Sequence, residues 1–143
     1  MRKHVEPMGN PGVGALSWRD MPPPTLLLVD DDRFVRHLLK DAIQESGLEV
    51  RMLEASDGRE GLEVAAREQP ALMLLDLFMP RCSGLEVLAH IKQSSPDTRV
   101  LIISSMDADP VVQQALSAGA VGFVGKPFHP LEISLAIRQA LAH

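Results

Sequence analysis

The chain has 143 residues, of which 45% are hydrophobic and 23% charged, proportions typical of one soluble globular domain with its own core. Its formal net charge of -5 argues against nucleic acid as a direct partner, because binding to phosphates favours a basic surface. No apolar run approaches the ~20 residues of a membrane helix, and a single cysteine, Cys82, excludes an internal disulfide. We therefore expect a cytoplasmic protein with no membrane partner.

The first 24 residues differ in composition from the rest of the chain. They are rich in glycine and proline and show no sustained hydrophobic period, which predicts a flexible tail that ends in Pro22–Pro24. Met21 directly precedes these prolines and could be the natural start of the protein. We expect the folded domain to comprise residues 25–143.

An apolar strand and an amphipathic helix open the domain. Leu26–Val29 is an uninterrupted apolar run, and Arg33–Glu45 follows it with helical periodicity. Asp32 directly precedes this helix and is a favourable N-cap. The period predicts one buried helix face, which is formed by Val35, Leu38, Leu39, Ala42 and Ile43.

The same alternation of strand and helix continues to the end of the chain. The pattern predicts strands over 50–55, 71–75, 99–103 and 121–124, and helices over 58–68, 85–92, 110–118 and 130–142. Apolar strands that alternate with helices predict a parallel sheet covered on both faces. In such sheets the functional crevice lies at the carboxyl ends of the strands.

Polar side chains follow four of the predicted strands at this edge. They are Asp30 and Asp31, Asp76, Ser104 and Lys126. Three carboxylates favour a hard divalent cation, and Mg2+ fits best because it also keeps water and phosphate oxygens as ligands. A hydroxyl and an ammonium match the oxygens of a phosphoryl group. Asp76 would then be the nucleophile and would form an aspartyl phosphate.

Four sequence blocks resemble the signatures of a known family. "LLVDDD", "LLDLFMP", "VLIISS" and "AGAVGFVGKPF" are similar to blocks of the receiver domain of two-component response regulators, and the resemblance covers Thr25 to Ala142. It implies an α/β, flavodoxin-like, doubly wound, five-stranded parallel sheet of order 2-1-3-4-5 with five helices. It also implies a phosphorylation-dependent switch, not a turnover enzyme, whose phosphoryl donor is a histidine kinase or a phosphotransfer protein.

The resemblance assigns roles to the acidic residues. It implies that Asp76 is the phosphoacceptor and a metal ligand, that Asp31 binds Mg2+ directly, and that Asp30 is a ligand or a water-mediated partner. The backbone carbonyl of Phe78 would complete the protein's share of the coordination.

The same resemblance assigns the parts that sense and transmit the signal. Ser104 would follow the phosphoryl group, Lys126 would be its fixed cation, and the peptide bond from Lys126 to Pro127 would be cis. Phe123 matches an aromatic residue that moves inward when Ser104 moves. The output face would comprise the fourth helix, fifth strand and fifth helix, and the apolar residues there that are candidates for contact with a downstream protein are Val111, Leu131 and Leu135.

Three residues are expected to border the path of the water that hydrolyses the phosphorylated aspartate. Phe78 lies two residues after Asp76, and Ser105 and Met106 follow Ser104. Phe78 and Met106 are bulky and apolar, so they cannot orient a water molecule. We therefore expect slow loss of the phosphoryl group.

Two other functions remain open at this point. Asp30 and Asp32 form a D-x-D pair after the first strand, which is similar to the nucleophile motif of haloacid dehalogenase-type phosphatases. However, the second acidic pair of those enzymes follows their lysine, and no carboxylate pair follows Lys126. A receiver-like fold that binds a partner constitutively is the third hypothesis.

The composition of the first residues generates a prediction about the tail. A chain that starts at Met21 should keep the stability of the full chain and its labelling by a phosphoryl donor, because residues 1–20 offer no periodic face to bury. Urea denaturation of both chains checks this. A loss above about 1 kcal/mol, a sizeable share of a typical ~5–15 kcal/mol, would mean that the tail packs on the domain.

Overall fold

The computed structural model describes residues 21–105 and 110–142, in which five strands alternate with five helices. The strands are Thr25–Val29 (β1), Arg51–Ala55 (β2), Leu72–Asp76 (β3), Arg99–Ser104 (β4) and Gly122–Gly125 (β5). The helices are Arg33–Glu45 (α1), Gly58–Glu68 (α2), Gly84–Ser94 (α3), Pro110–Ser117 (α4) and Pro130–Leu141 (α5). Within the described ranges, no helix combines the length and apolar character needed to cross a membrane.

All five strands are parallel and form one sheet of order β2-β1-β3-β4-β5. This confirms the predicted flavodoxin-like, doubly wound topology. Chain order reverses at β1, because β2 lies on one side of it and β3 on the other. In open parallel sheets, ligands bind at the carboxyl ends of the strands where the order reverses, and here the loops after β1 and β3 border that place.

Helices cover both faces of the sheet, so each central strand is buried on both sides. Along β1, Leu27 and Val29 pack in one core with residues of α2, α3 and α4. Leu26 and Leu28 point to the other face and pack with residues of α1 and α5. Side chains that alternate between two buried faces require apolar residues at every position, which explains the uninterrupted apolar runs in the sequence.

Helix α1 begins and ends where the sequence predicts, but its predicted buried face is wrong at one residue. Leu39, Ala42 and Ile43 are buried, whereas Leu38 is 38% exposed. At 3.6 residues per turn, Leu38 lies about 100° around the helix from Leu39. It therefore lies at the margin of the apolar stripe and partly faces solvent.

Strands β3 and β4 each extend one residue further than the sequence predicts, and the added residues belong to the site. Asp76 and Ser104 were expected to follow their strands, but each is the last residue of its strand. Asp76 pairs in register with Ile103, and Ser104 pairs with Gly125. The ladder consists of hydrogen bonds between main-chain groups, so a residue with a polar side chain can still be part of it. Both residues are consequently held by the sheet itself.

Candidate functional site

Three carboxylates meet at the carboxyl edge of the sheet. Asp30 and Asp31 directly follow β1, and Asp76 ends the neighbouring strand β3. One carboxylate oxygen from each of the three lies within 4.8 Å of the others. Asp30 and Asp76 are only 2% and 5% exposed, whereas Asp31 is exposed. The predicted acidic cluster is therefore present, with two buried members and one at the surface.

Lys126 directly follows β5, the edge strand opposite β2, and its side chain extends to this cluster. Its Nζ lies 2.9 Å from Oδ2 of Asp30 and 3.7 Å from Oδ2 of Asp76. Burial by itself would lower the pKa of Lys126, but its hydrogen bond to Asp30 and the charge of Asp76 outweigh this and raise the pKa. The ammonium therefore stays charged and provides a fixed positive group beside two buried carboxylates.

The carboxyl group of Asp76 is costly to ionise in the absence of a metal ion. Burial raises its pKa to about 6, the charge of Lys126 opposes the increase, and the charge of Asp30 adds to it. The backbone N–H of Phe78 also donates to Oδ1 of Asp76 at 3.3 Å, which favours the ionised form. A cation close to Asp76 would offset the cost of burying its charge.

The donor set fits a hard divalent cation. Carboxylate oxygens of Asp30, Asp31 and Asp76 are the ligands that Mg2+ prefers, and the exposed position of Asp31 leaves room for water or a phosphoryl oxygen in the remaining positions. The raised pKa of Asp76 points the same way, because it arises mainly from burial of the carboxyl group, and a bound cation would offset that cost. These residues could hold a metal ion.

Ser104 lies at the same edge as the cluster. It is fully buried as the last residue of β4, and its carbonyl accepts a 2.7 Å hydrogen bond from the backbone N–H of Lys126. The two residues predicted to contact a phosphoryl group are therefore joined through the backbone. The peptide bond from Lys126 to Pro127 is cis, as predicted.

Asp32 does not belong to the cluster. Its Oδ1 accepts hydrogen bonds from the N–H groups of Phe34 at 2.8 Å and Val35 at 3.4 Å, so it is the N-cap of α1, as predicted. Its own backbone N–H donates to Oδ1 of Asp30 at 2.8 Å. Because Asp32 is engaged in capping, the geometry does not support the phosphatase hypothesis, which requires Asp30 and Asp32 to act as a pair.

The residues predicted to transmit the signal differ in exposure. Leu131 and Leu135 on α5 are 60% and 51% exposed, whereas Val111 is partly buried against the core on the α2–α4 face. Val111 therefore presents less surface than the sequence predicted. Phe123 on β5 is also partly buried against that core.

Two of the three residues predicted to border the path of the hydrolytic water, Phe78 and Ser105, lie in the described part of the chain. Phe78 is 40% exposed in the loop after β3, and Ser105 is exposed after β4. Met106 lies outside the described residues.

Two residues with a structural role at the site were not singled out from the sequence. A Cβ on Gly84 would lie 2.6 Å from the carbonyl oxygen of Asp76, so only glycine lets α3 begin this close to the end of β3. His129 is the N-cap of α5, a role that was not predicted from the sequence: its Nδ1 accepts from the N–H of Leu131 at 3.0 Å. The signal in the sequence for Gly84 is its place directly after Ser83, a residue type that favours helix N-caps and that caps α3.

Comparison with known proteins agrees with this geometry. The family model described as "Response regulator receiver domain" matches residues 26–138. The chemotaxis protein CheY of Thermotoga maritima is 34% identical over 114 residues, which cover 80% of this chain and 94% of CheY. The response regulator MprA of Mycobacterium leprae is 37% identical over 116 residues, which cover 81% of this chain but only 50% of MprA.

Among solved structures, the response regulator domain of Thermotoga maritima CheB superposes with a TM-score of 0.76 at 32% identity, covering 85% of this chain and 98% of that chain. The sequence blocks, the strand order and the acidic edge of the sheet thus all agree with one family. The chain belongs to the response regulator receiver domain family, whose members are switches in phosphorylation-dependent two-component signalling.

Proposed function

We propose that Asp76 is the residue that accepts the phosphoryl group, from a histidine kinase or a phosphotransfer protein. One observation carries this assignment: Asp76 is held at the end of β3 with Lys126 3.7 Å away and two further carboxylates within 4.8 Å. Asp30 is bonded directly to Lys126 and to the backbone of Asp32, so both of its oxygens already have donors. Asp76 is therefore the better nucleophile.

In the proposed reaction, an oxygen of Asp76 forms a bond to phosphorus while the bond from phosphorus to the donor nitrogen breaks, and the donor imidazole leaves with the electron pair. Held by Asp30, Asp31, Asp76 and the carbonyl of Phe78, Mg2+ would supply positive charge that screens the repulsion between the carboxylate and the phosphoryl group. Lys126, whose Nζ lies 3.7 Å from Oδ2 of Asp76, would neutralise negative charge on the phosphoryl oxygens. The chain supplies position and charge and does not turn over a substrate.

Ser104 and Phe123 are the proposed switch. The hydroxyl of Ser104 would donate to a phosphoryl oxygen on Asp76, and the movement would be passed to Phe123 on the edge strand β5. A surface cavity of about 640 Å³ lies beside Phe123 and is lined by Lys126 and Leu135 among others. Together with the exposed Leu131, this face fits a downstream protein partner.

We propose the remaining assignments on the same basis. Residues 25–143 would form the receiver domain and 1–24 a tail, which the family match over 26–138 supports. A cytoplasmic location and the absence of direct nucleic-acid binding would follow from the composition of the chain.

Phosphorylation by a small donor tests the acceptor. Incubation with acetyl phosphate and Mg2+ should add one phosphoryl group to the protein, and Asp76→Asn or chelation by EDTA should prevent it. Intact mass spectrometry gives the stoichiometry directly. Asp57→Asn is the matched control, because Asp57 follows β2, the strand next to β1, and caps α2 outside the cluster.

Labelling of Asp76→Asn to the wild-type extent would show that Asp30 or Asp31 is the acceptor. A catalytic cycle of ester hydrolysis, measured as released phosphate in excess over protein, would instead favour a phosphatase.

The raised pKa of Asp76 predicts how stability depends on pH in metal-free protein. The folded pKa of about 6 exceeds the ordinary value of 3.8 for an aspartate side chain, so the folded state binds the proton more tightly than the unfolded chain. Stability is then lost as pH rises from about 4 to about 6, by at most about 3 kcal/mol. Asp76→Asn removes this dependence. Its stability relative to the wild type should therefore increase across this window.

Urea denaturation in EDTA at pH 4, 5, 6 and 7 provides the measurement. A difference between the two proteins that stays constant with pH would contradict the raised pKa. Adding Mg2+ at pH 7 should stabilise the wild type more than Asp76→Asn, since only the wild type keeps all three carboxylates.

Shielding by Phe78 predicts the lifetime of the phosphorylated state. Phe78→Asn should accelerate loss of the phosphoryl group by roughly threefold to tenfold, or about 0.7–1.4 kcal/mol of barrier, because a polar side chain can orient the attacking water. Decay of purified phosphorylated protein gives the half-life. Phe34→Asn is the control, since Phe34 is also an exposed phenylalanine, 65% exposed and two residues after Asp32. Equal half-lives for Phe78→Asn and wild type would refute the shielding.

A further inference from the structure

Asp30 is fixed through all four of its polar groups. Its N–H donates to the carbonyl of Ala55 at 3.2 Å, and its two carboxylate oxygens accept from the N–H of Asp32 at 2.8 Å and from Nζ of Lys126 at 2.9 Å. Its backbone carbonyl accepts from Nη1 of Arg36 at 2.5 Å. The first three contacts come from the sheet edge and the site itself, whereas the fourth comes from a side chain with no assigned role.

Arg36 lies in the first turns of α1 and is well placed for this contact. Its side chain is only 12% exposed, and its Nε donates to Oε1 of Glu54 on β2 at 2.9 Å while Nη1 holds Asp30. Glu54 also accepts from Lys40 at 2.8 Å, and the pKa of Glu54 is lowered, first by that hydrogen bond to Lys40 and, against the effect of burial, also by Arg36. Glu54 therefore remains ionised and anchors the planar guanidinium.

The backbone carbonyl of Asp30 lies just beyond the β1–β2 ladder, so the pairing of these two strands does not fix its direction. The ladder between β1 and β2 ends at the pair Val29 and Ala55, so this carbonyl lies beyond the paired residues of β1. The carbonyl belongs to the planar peptide unit that leads into Asp31. Fixing its direction therefore also fixes the direction from which Asp31, the exposed member of the cluster, enters the site.

We propose that Arg36 is a positioning residue for the metal site, which orients the Asp30–Asp31 peptide so that both carboxylates point at one cation. The inference rests on the proposed metal site at Asp30, Asp31 and Asp76. Arg36 does not touch the ion; it acts through the backbone of its ligands, as groups outside the coordination sphere of metal sites commonly do.

Charge and position predict opposite effects of removing Arg36. As a nearby cation, Arg36 would repel a metal ion, so its loss would tighten binding. As a positioning group, its loss would weaken binding. Its pairing with Glu54 offsets the charge and favours the second effect. Arg36→Lys separates the two, because lysine keeps the charge but its single ammonium cannot reproduce the two-sided fork of a guanidinium.

The test is direct metal binding to the unphosphorylated full chain. Mn2+ is the probe, because its free concentration can be read by electron paramagnetic resonance and it shares the preference of Mg2+ for oxygen ligands. Arg36→Lys and Arg36→Met should each weaken Mn2+ binding about tenfold. Lys40→Met is the matched control: Lys40 shares Glu54 with Arg36 but has no described contact with Asp30, so binding should stay within about twofold of wild type.

Each outcome decides the proposal. Wild-type affinity in Arg36→Lys, tighter binding in Arg36→Met, or an equal loss in Lys40→Met would overturn the positioning role. If Arg36→Met does not fold by circular dichroism, Arg36→Lys alone decides. Asp31→Asn tests the underlying site: if it binds Mn2+ like wild type, the proposed metal site is wrong. If it loses binding while Arg36→Lys does not, only the role of Arg36 fails.

Discussion

The ion pair between Asp30 and Lys126 is the interaction on which the site depends. It spans 2.9 Å between a residue that follows β1 and a residue that follows β5, with β3 and β4 between those strands. The carboxylates of Asp30 and Asp76 are both buried and repel each other. Without the ammonium of Lys126 they would be buried with no ion-pair partner in the described part of the chain. Breaking one partner of such a pair typically costs about 3–5 kcal/mol. The pair holds the carboxylates in place without removing all of their negative charge, and the remainder can attract a metal ion.

The rest of the fold makes this arrangement rigid. Asp76 and Ser104 are the last residues of paired strands, so the ladder determines their backbone positions. Gly84 allows α3 to begin directly against the carbonyl of Asp76, and Asp32 caps α1 beside Asp30. The ladder fixes the backbone of Ser104 but not its side chain, so the proposed switch would use movement of the Ser104 hydroxyl and of Phe123 on the edge strand β5.

A large part of the fold and the site was predictable from residue pattern. Apolar runs that alternate with amphipathic segments indicate a parallel sheet with two covered faces, and the strands end where the pattern predicts to within two residues. The carboxyl ends of parallel strands share one edge, so Asp30, Asp31, Asp76 and Lys126 had to converge. The strand order and the cis peptide came from resemblance to a family, since periodicity contains no information about which strands are neighbours.

What the sequence by itself determined is thus the set of elements, the edge at which the charged residues meet, and the family to which they belong. The tertiary structure alone decided how each side chain is used there. The packing of Val111 against the core depends on where neighbouring elements lie. The contact of Arg36 with Glu54 and with the carbonyl of Asp30 depends on the spacing between α1 and β2. Local periodicity reports only the direction of a side chain from its own element, whereas these contacts are set by distances between elements.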